Sequence, residues 1–155
     1  MKKYMYVIAV LAWALVIFYL SHQPASSSNE LSKGVTRVIV ENIEIISPEK
    51  ELDFRALNSK IRKSAHFFFY FILGMLIFTA LHYRKALAIK RTILAFFLCV
   101  LYAILDEGHQ LFIDGRGAQV RDVIIDSAGA LVGIVLALAF RFFTCTPYRQ
   151  SDKID

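Results

Sequence analysis

Four blocks of apolar residues, each close to the length needed to cross a lipid bilayer, constrain this chain more than any other feature. They run from Tyr4 to Leu20, from Ala65 to Tyr83, from Thr92 to Leu105 and from Val123 to Phe143. A spanning helix needs about 20 predominantly apolar residues, because the hydrocarbon core is about 30 Å thick and a helix rises about 1.5 Å per residue. Hydrophobic residues make up 57% of the 155, above the roughly 45–50% of soluble domains. A soluble fold would have to pack four almost wholly apolar helices with too little polar surface to cover them. The expectation is an all-α integral membrane bundle of four transmembrane helices, one domain over residues 1–155, with spans at 4–20, 65–83, 90–108 and 123–143. The third block is the difficult one. Thr92 to Leu105 rises only about 21 Å. Either this helix starts earlier and Lys90 and Arg91 snorkel, or its polar end sits below the membrane surface.

The first block follows Lys2 and Lys3, as a signal peptide would. Its core is long, however, and Ser21-His22-Gln23-Pro24 offers no small-x-small cleavage site, so a retained helix ended by Pro24 is expected. Residues 21–64 form one long loop. Within it Leu31, Val35, Val38, Ile39, Ile45 and Ile46 recur near helical spacing among Lys33, Arg37 and Glu41. That pattern suits an amphipathic helix lying on the membrane surface or, equally, one covering the top of the bundle. Ser47-Pro48-Glu49 reads as the start of a second short helix leading through Arg62 and Lys63 into the membrane. Net charge is +5. The basic residues lie beside apolar blocks, so topology and lipid headgroups explain them better than nucleic acid, and no nucleic-acid partner is expected. The N-terminus, the 84–91 turn and the tail after Arg141 are net basic, whereas the 106–122 loop carries two Arg against four acids. The positive-inside rule then places a multi-pass protein in the cell membrane with both termini cytoplasmic. Cys99 and Cys145 lie at different depths in this scheme, and no disulfide is expected between them.

In a four-span bundle one set of helix ends meets at one face, and the unusual polar residues fall at those ends. They are Ser21, His22 and Gln23; Arg62 and His66; Asp106, Glu107, His109 and Gln110; and Arg116, Arg121, Asp122 and Asp126. Asp106 shares a helix face with His109 and Gln110, and Asp122 shares one with Asp126. Two acids one turn apart repel unless a cation lies near them, and Arg116, Arg121 or a metal could serve. Asp114-Gly115-Arg116-Gly117 is turn-forming, and its glycines would let backbone N–H groups approach a phosphate. Ionisable groups at membrane depth are costly and point to function. The plainer alternative is an ion-paired network, with Arg62, Arg116 and Arg121 satisfying Asp106, Glu107, Asp122 and Asp126 and no ligand involved. By itself His66 suggests a hydrogen bond to a carboxylate of the third span, and His22 an exposed interfacial residue. Tyr70 and Gly74 follow His66 at steps of four, as in a packing face with a close helix contact.

These residues carry a resemblance. Ser21-His22-Gln23-Pro24, Lys63-Ser64-Ala65-His66 with Tyr70 and Gly74, Tyr102, Asp106-Glu107-Gly108-His109-Gln110, Gly115-Arg116, Arg121-Asp122, Asp126, Gly129 and Gly133 resemble, in that order, the VanZ-like family. That family is named for a teicoplanin-resistance protein. The resemblance implies a four-helix membrane protein, linked in some members to reduced sensitivity to teicoplanin-type lipoglycopeptides. It supplies no agreed reaction, and neither a metal nor another cofactor. Two functions follow as expectations. In the first, Arg62, Arg116 and Arg121, with the amphipathic loop, bind anionic membrane lipids, cell-wall lipid intermediates or a lipoglycopeptide antibiotic at the outer leaflet. In the second, a membrane enzyme acts on a lipid or cell-wall precursor headgroup. There Asp106, Glu107 and His109 supply acid–base groups or metal ligands, with Glu107 and His109 as the proton-transfer pair. His66, Gln110, Asp122 and Asp126 complete the polar cluster in both. A transporter is disfavoured, since the four short spans show no inverted repeat and the polar residues sit at one end.

Overall fold

A computed structural model describes residues 2–46, 53–81 and 87–144. The described residues form five helices and no strand: α1 (Lys2–Ser21), α2 (Ala25–Ile46), α3 (Phe54–Ala80), α4 (Ala88–Gln110) and α5 (Val120–Thr144). Four of them, α1, α3, α4 and α5, are long and apolar enough to cross a membrane. Their outward faces carry Leu11, Leu15, Phe97, Leu101, Val132 and Leu136, all exposed. In a bilayer these side chains meet lipid, and every backbone polar group inside the span is satisfied within its own helix. The chain is thus a helical membrane bundle.

The helices outrun the apolar blocks that announce them. α3 begins at Phe54, where the Asp53 carboxylate accepts hydrogen bonds from the backbone N–H groups of Arg55 and Ala56. It then runs unbroken to Ala80, so Arg62 and Lys63 lie inside one continuous helix and not in an approach to a separate span. Any helix start at Ser47-Pro48-Glu49 lies outside the described residues. α4 starts at Ala88, and its 23 residues rise about 34 Å. α4 thus starts earlier than its apolar block, with Lys90 and Arg91 inside the helix. Cys99 is buried and unbonded; Cys145 lies outside the described residues.

α3 is the centre of the bundle, and its most extensive partner is α5. The two run parallel and approach closely because three glycines line the seam. A Cβ on Gly129 or Gly133 would collide with the backbone carbonyl oxygen of Phe67 or Phe71, and one on Gly74 with that of Ala130. Without a hydrophobic driving force in lipid, such close backbone approach is what holds membrane helices together. Tyr70, Leu73, Ile77, Ala130 and Ile134 pack along the seam, and Ala95, Cys99 and Ala103 bring α4 against it. α1 is tied across the bundle by two aromatic donors. Trp13 Nε1 donates to the Phe69 carbonyl at 2.9 Å, and the Tyr102 hydroxyl to that of Ala14 at 2.7 Å.

α2 packs on the first turns of α3 through its small polar residues. Ser32 and Thr36 are buried, and Thr36 Oγ1 lies 3.1 Å from Asn58 Oδ1 while Asn58 Nδ2 donates to Asn29 Oδ1 at 2.7 Å. Leu31, Val35 and Val38 of its apolar stripe stay exposed, with Leu31 and Val35 on the wall of a cavity shared with α3.

Candidate functional site

The end of α1, the middle of α3, the end of α4, the 111–119 loop and the start of α5 meet at one end of the bundle. Asp126, six residues into α5, has no exposed surface, and neither of its carboxylate oxygens has a hydrogen-bond partner among the described residues. Its nearest counter-group is His66, with Nδ1 3.7 Å from Oδ1. His66 therefore faces a carboxylate of α5, not one of α4 as its spacing alone suggested. Asp106, on α4, is also buried. Its Oδ2 accepts from the Ser21 hydroxyl at 2.7 Å, while Oδ1 has no partner among the described residues. One ligand atom from each of His66, Asp106 and Asp126 lies within 4.8 Å of the others. Asp122, one turn before Asp126, is paired with Lys63 at 3.2 Å.

The two acids of the Asp106-Glu107 pair point apart. Glu107 is buried, and its Oε2 accepts the backbone N–H of Gln119 at 2.9 Å, pinning the end of the 111–119 loop. His109 turns toward α1. Its Nε2 lies 3.1 Å from His22 Nδ1, and its ring packs on Phe18 with centroids 4.8 Å apart. Glu107 and His109 thus have different hydrogen-bond partners in this structure. His22 is exposed, as its sequence position suggested, and pairs with His109. Gln110, buried at the end of α4, borders a small polar cavity.

Arg62 and Arg116 are the cations of the site. They flank two cavities that meet at His66. One, of about 90 Å³, is polar, and its wall includes Lys63, Gln110, Gly115 and Gln119. The other, of about 230 Å³, is mostly apolar, walled by Ile17, Leu20, Leu31, Val35 and Phe69. Arg116 Nη2 donates to the Leu20 carbonyl at 3.2 Å. Among the described residues, neither guanidinium lies within 4.0 Å of a carboxylate. Burial first, and then the like charge of Arg62, pull the Arg116 pKa below the ordinary guanidinium value. Gly115 sits at φ +73° in the left-handed region, where Cβ-bearing residues are disfavoured, and lets the loop fold under Arg116. Arg121 is exposed and borders neither cavity.

The arginine–carboxylate network weighed as the plainer alternative is not the pairing among the described residues. Lysine, serine and a backbone N–H serve the acids, and the two inner arginines stay without a carboxylate. Two observations went unread in the sequence. Lys63 was visible as the residue beside Arg62, one turn from His66, but which acid it would meet depends on how α3 is rotated against α5. The Gln119 N–H carries no sequence signal at all.

No curated protein and no solved structure matches the chain. A family model, VanZ/LLP1, matches residues 6–141, which takes in α2, α3 and α4 whole, most of α1 and α5, and every residue of the site. The chain belongs to the VanZ/LLP1 family.

Proposed function

We propose that this protein binds an anionic amphiphile at the outer face of the cell membrane. The headgroup sits between Arg62 and Arg116, and its chain enters the apolar cavity beneath. The observation that carries this reading is the pair of half-buried guanidiniums with no carboxylate partner among the described residues, at the junction of a polar and an apolar cavity. Two like charges held together in a partly desolvated space repel, and an anion between them removes the repulsion and gains charge-assisted hydrogen bonds. Gly115 and Gly117 line the polar cavity and add backbone that a phosphate can approach. Both termini are cytoplasmic in this reading, which turns the site toward the cell-wall side of the membrane. The membrane's own anionic lipids and lipid-linked cell-wall intermediates share this chemistry. The family likeness adds the expectation that occupancy of the site lowers sensitivity to teicoplanin-type lipoglycopeptides.

The test is native mass spectrometry of the detergent-solubilised protein with phosphatidylglycerol and, separately, phosphatidylcholine. The wild type retains the anionic lipid preferentially. Arg62→Gln and Arg116→Gln each weaken that retention by about 10-fold to 100-fold, as loss of a hydrogen bond to a charged group does. Arg121→Gln leaves it unchanged. Equal retention of both lipids, or an Arg116→Gln variant that binds like the wild type, would sink the reading. In a sensitive Gram-positive host the same variants order teicoplanin protection in the same way.

A second reading, a membrane enzyme acting on that headgroup, is favoured by the carboxylate oxygens of Asp106 and Glu107 that have no hydrogen-bond partner among the described residues. It separates from the first through Glu107→Gln, which abolishes turnover of a labelled lipid if the carboxylate reacts and leaves lipid retention intact if it does not.

A further inference from the structure

The deepest group at the polar end is Asp126, and neither the arginine pair nor the lipid reading accounts for it. A carboxylate with no exposed surface and no hydrogen-bond donor is among the costliest groups a membrane helix can carry, unless a cation is matched to it. Every arginine near the site is engaged elsewhere or lies beyond ion-pair distance, and Lys63 is taken by Asp122. What faces Asp126 is His66 from α3 and Asp106 from α4.

We propose that His66, Asp106 and Asp126 bind a divalent transition-metal cation of the zinc or manganese kind. Three helices each contribute one ligand atom, all within 4.8 Å of one another. Two ligands about 2.1 Å from a tetrahedral ion are about 3.4 Å apart, so side-chain rotations alone close the site. The state of each carboxylate fits a ligand role. Asp106 has one oxygen held by the Ser21 hydroxyl and the other without a partner, as a monodentate ligand oriented from behind would. Both Asp126 oxygens are fully buried and lack a hydrogen-bond partner among the described residues, with His66 Nδ1 3.7 Å from Oδ1. One turn on from His66, the buried Tyr70 hydroxyl also has no hydrogen-bond partner among the described residues, a donor available to whatever completes the shell. One imidazole with two carboxylates suits zinc or manganese, and three protein ligands leave a coordination position open, the mark of a site that takes an exchangeable ligand. His66 borders both cavities, which places the site next to the space between Arg62 and Arg116. The metal site uses none of the arginines and stands whether or not a lipid binds there.

The experiment uses the full chain in detergent, stripped with a chelator and dialysed against Zn²⁺ or Mn²⁺ alone, with bound metal read by elemental analysis. The expected result is about one ion per folded chain. Asp126→Asn and His66→Gln lower the affinity by more than about 100-fold, and Ser21→Ala, which leaves all three ligands in place, by about 10-fold. Glu107→Gln leaves it unchanged. A zinc-dependent rise in the melting temperature of the wild type, absent in His66→Gln, reads the same site without relying on Asp126→Asn to fold. Stripped wild type that takes up less than about 0.2 ion per chain would mean that a bare His66–Asp126 ion pair suffices, and would overturn the proposal. So would uptake lost in His22→Gln but kept in His66→Gln, which would put the ion on the exposed His22–His109 pair. Lipid retention measured on the same preparations tests the arginine reading separately, since metal uptake is read in the absence of lipid.

Discussion

Lys63 and Asp122 form an ion pair at the polar end that is neither fully solvated nor sealed off, with side chains 25% and 23% exposed. Exposed pairs contribute about 0–1 kcal/mol, and breaking a buried one costs about 3–5 kcal/mol. Lys63→Met falls between, at about 1–2 kcal/mol of destabilisation, because Asp122 is left half-buried beside Asp126 with no cation. Arg121→Ala, an exposed side chain with no partner among the described residues, changes stability by less than about 0.5 kcal/mol. Equilibrium unfolding in mixed micelles separates the two, and equal costs would mean that Arg121 and not Lys63 neutralises Asp122. The sequence identified the acids and grouped them by helix face, since intervals of three and four residues are fixed by the helix itself. It could not assign their partners. Arg62 and Lys63 are adjacent in sequence and about 100° apart around α3, so which of them meets α5 is decided by the rotation that the glycine seam imposes.

That seam belongs to the elements and not to any one side chain. Gly129 and Gly133 are one turn apart on α5, each against a carbonyl of α3, and Gly74 returns the contact from α3 to Ala130. A leucine at Gly129 has to push the two backbones apart, with a loss of packing along the whole interface of more than about 3 kcal/mol, beyond the usual cost of a single overpacked side chain. Gly34, on α2, meets nothing within 4 Å, and Gly34→Ala stabilises that helix by about 0.5–1 kcal/mol through the unfolded chain alone. Thermal unfolding of both variants, followed by circular dichroism, checks the opposite signs; a Gly129→Leu protein as stable as the wild type would refute the close contact. The four spans and the His66-Tyr70-Gly74 packing face were legible because hydropathy and helical period report them directly. Helix ends were not. Hydropathy marks the part of a helix that meets lipid, whereas α3 continues through Arg62, Lys63 and Asn58 for as long as its backbone hydrogen bonds and the Asp53 cap support it. α2 was legible as amphipathic but not in its docking, since Ser32 and Thr36, the residues it buries, are polar and small.

At the scale of the whole molecule, every inference about ligands depends on which side of the membrane the polar end faces. His22, the cavities beside Arg62 and Arg116, and the 111–119 loop share one end of the bundle, and Ala88 at the start of α4 lies at the other. Lys90 and Arg91 beside Ala88, together with Lys2 and Lys3, make that other end the basic one, which the positive-inside rule assigns to the cytoplasm. Phe112 is 84% exposed in the loop, and Leu87 is 67% exposed just before α4. In a background with Cys99→Ala and Cys145→Ser, Phe112→Cys reacts with a membrane-impermeant maleimide in intact cells, and Leu87→Cys reacts only after permeabilisation. The outward stripe of Leu31, Val35 and Val38 on α2 would then lie against the outer leaflet at the mouth of the apolar cavity, which Leu31 and Val35 help to wall. The reverse labelling pattern would turn the cavities toward the cytoplasm. The guanidinium pair and the metal ligands would keep their chemistry, but their anion would come from the inner leaflet, out of reach of a lipoglycopeptide acting at the cell wall.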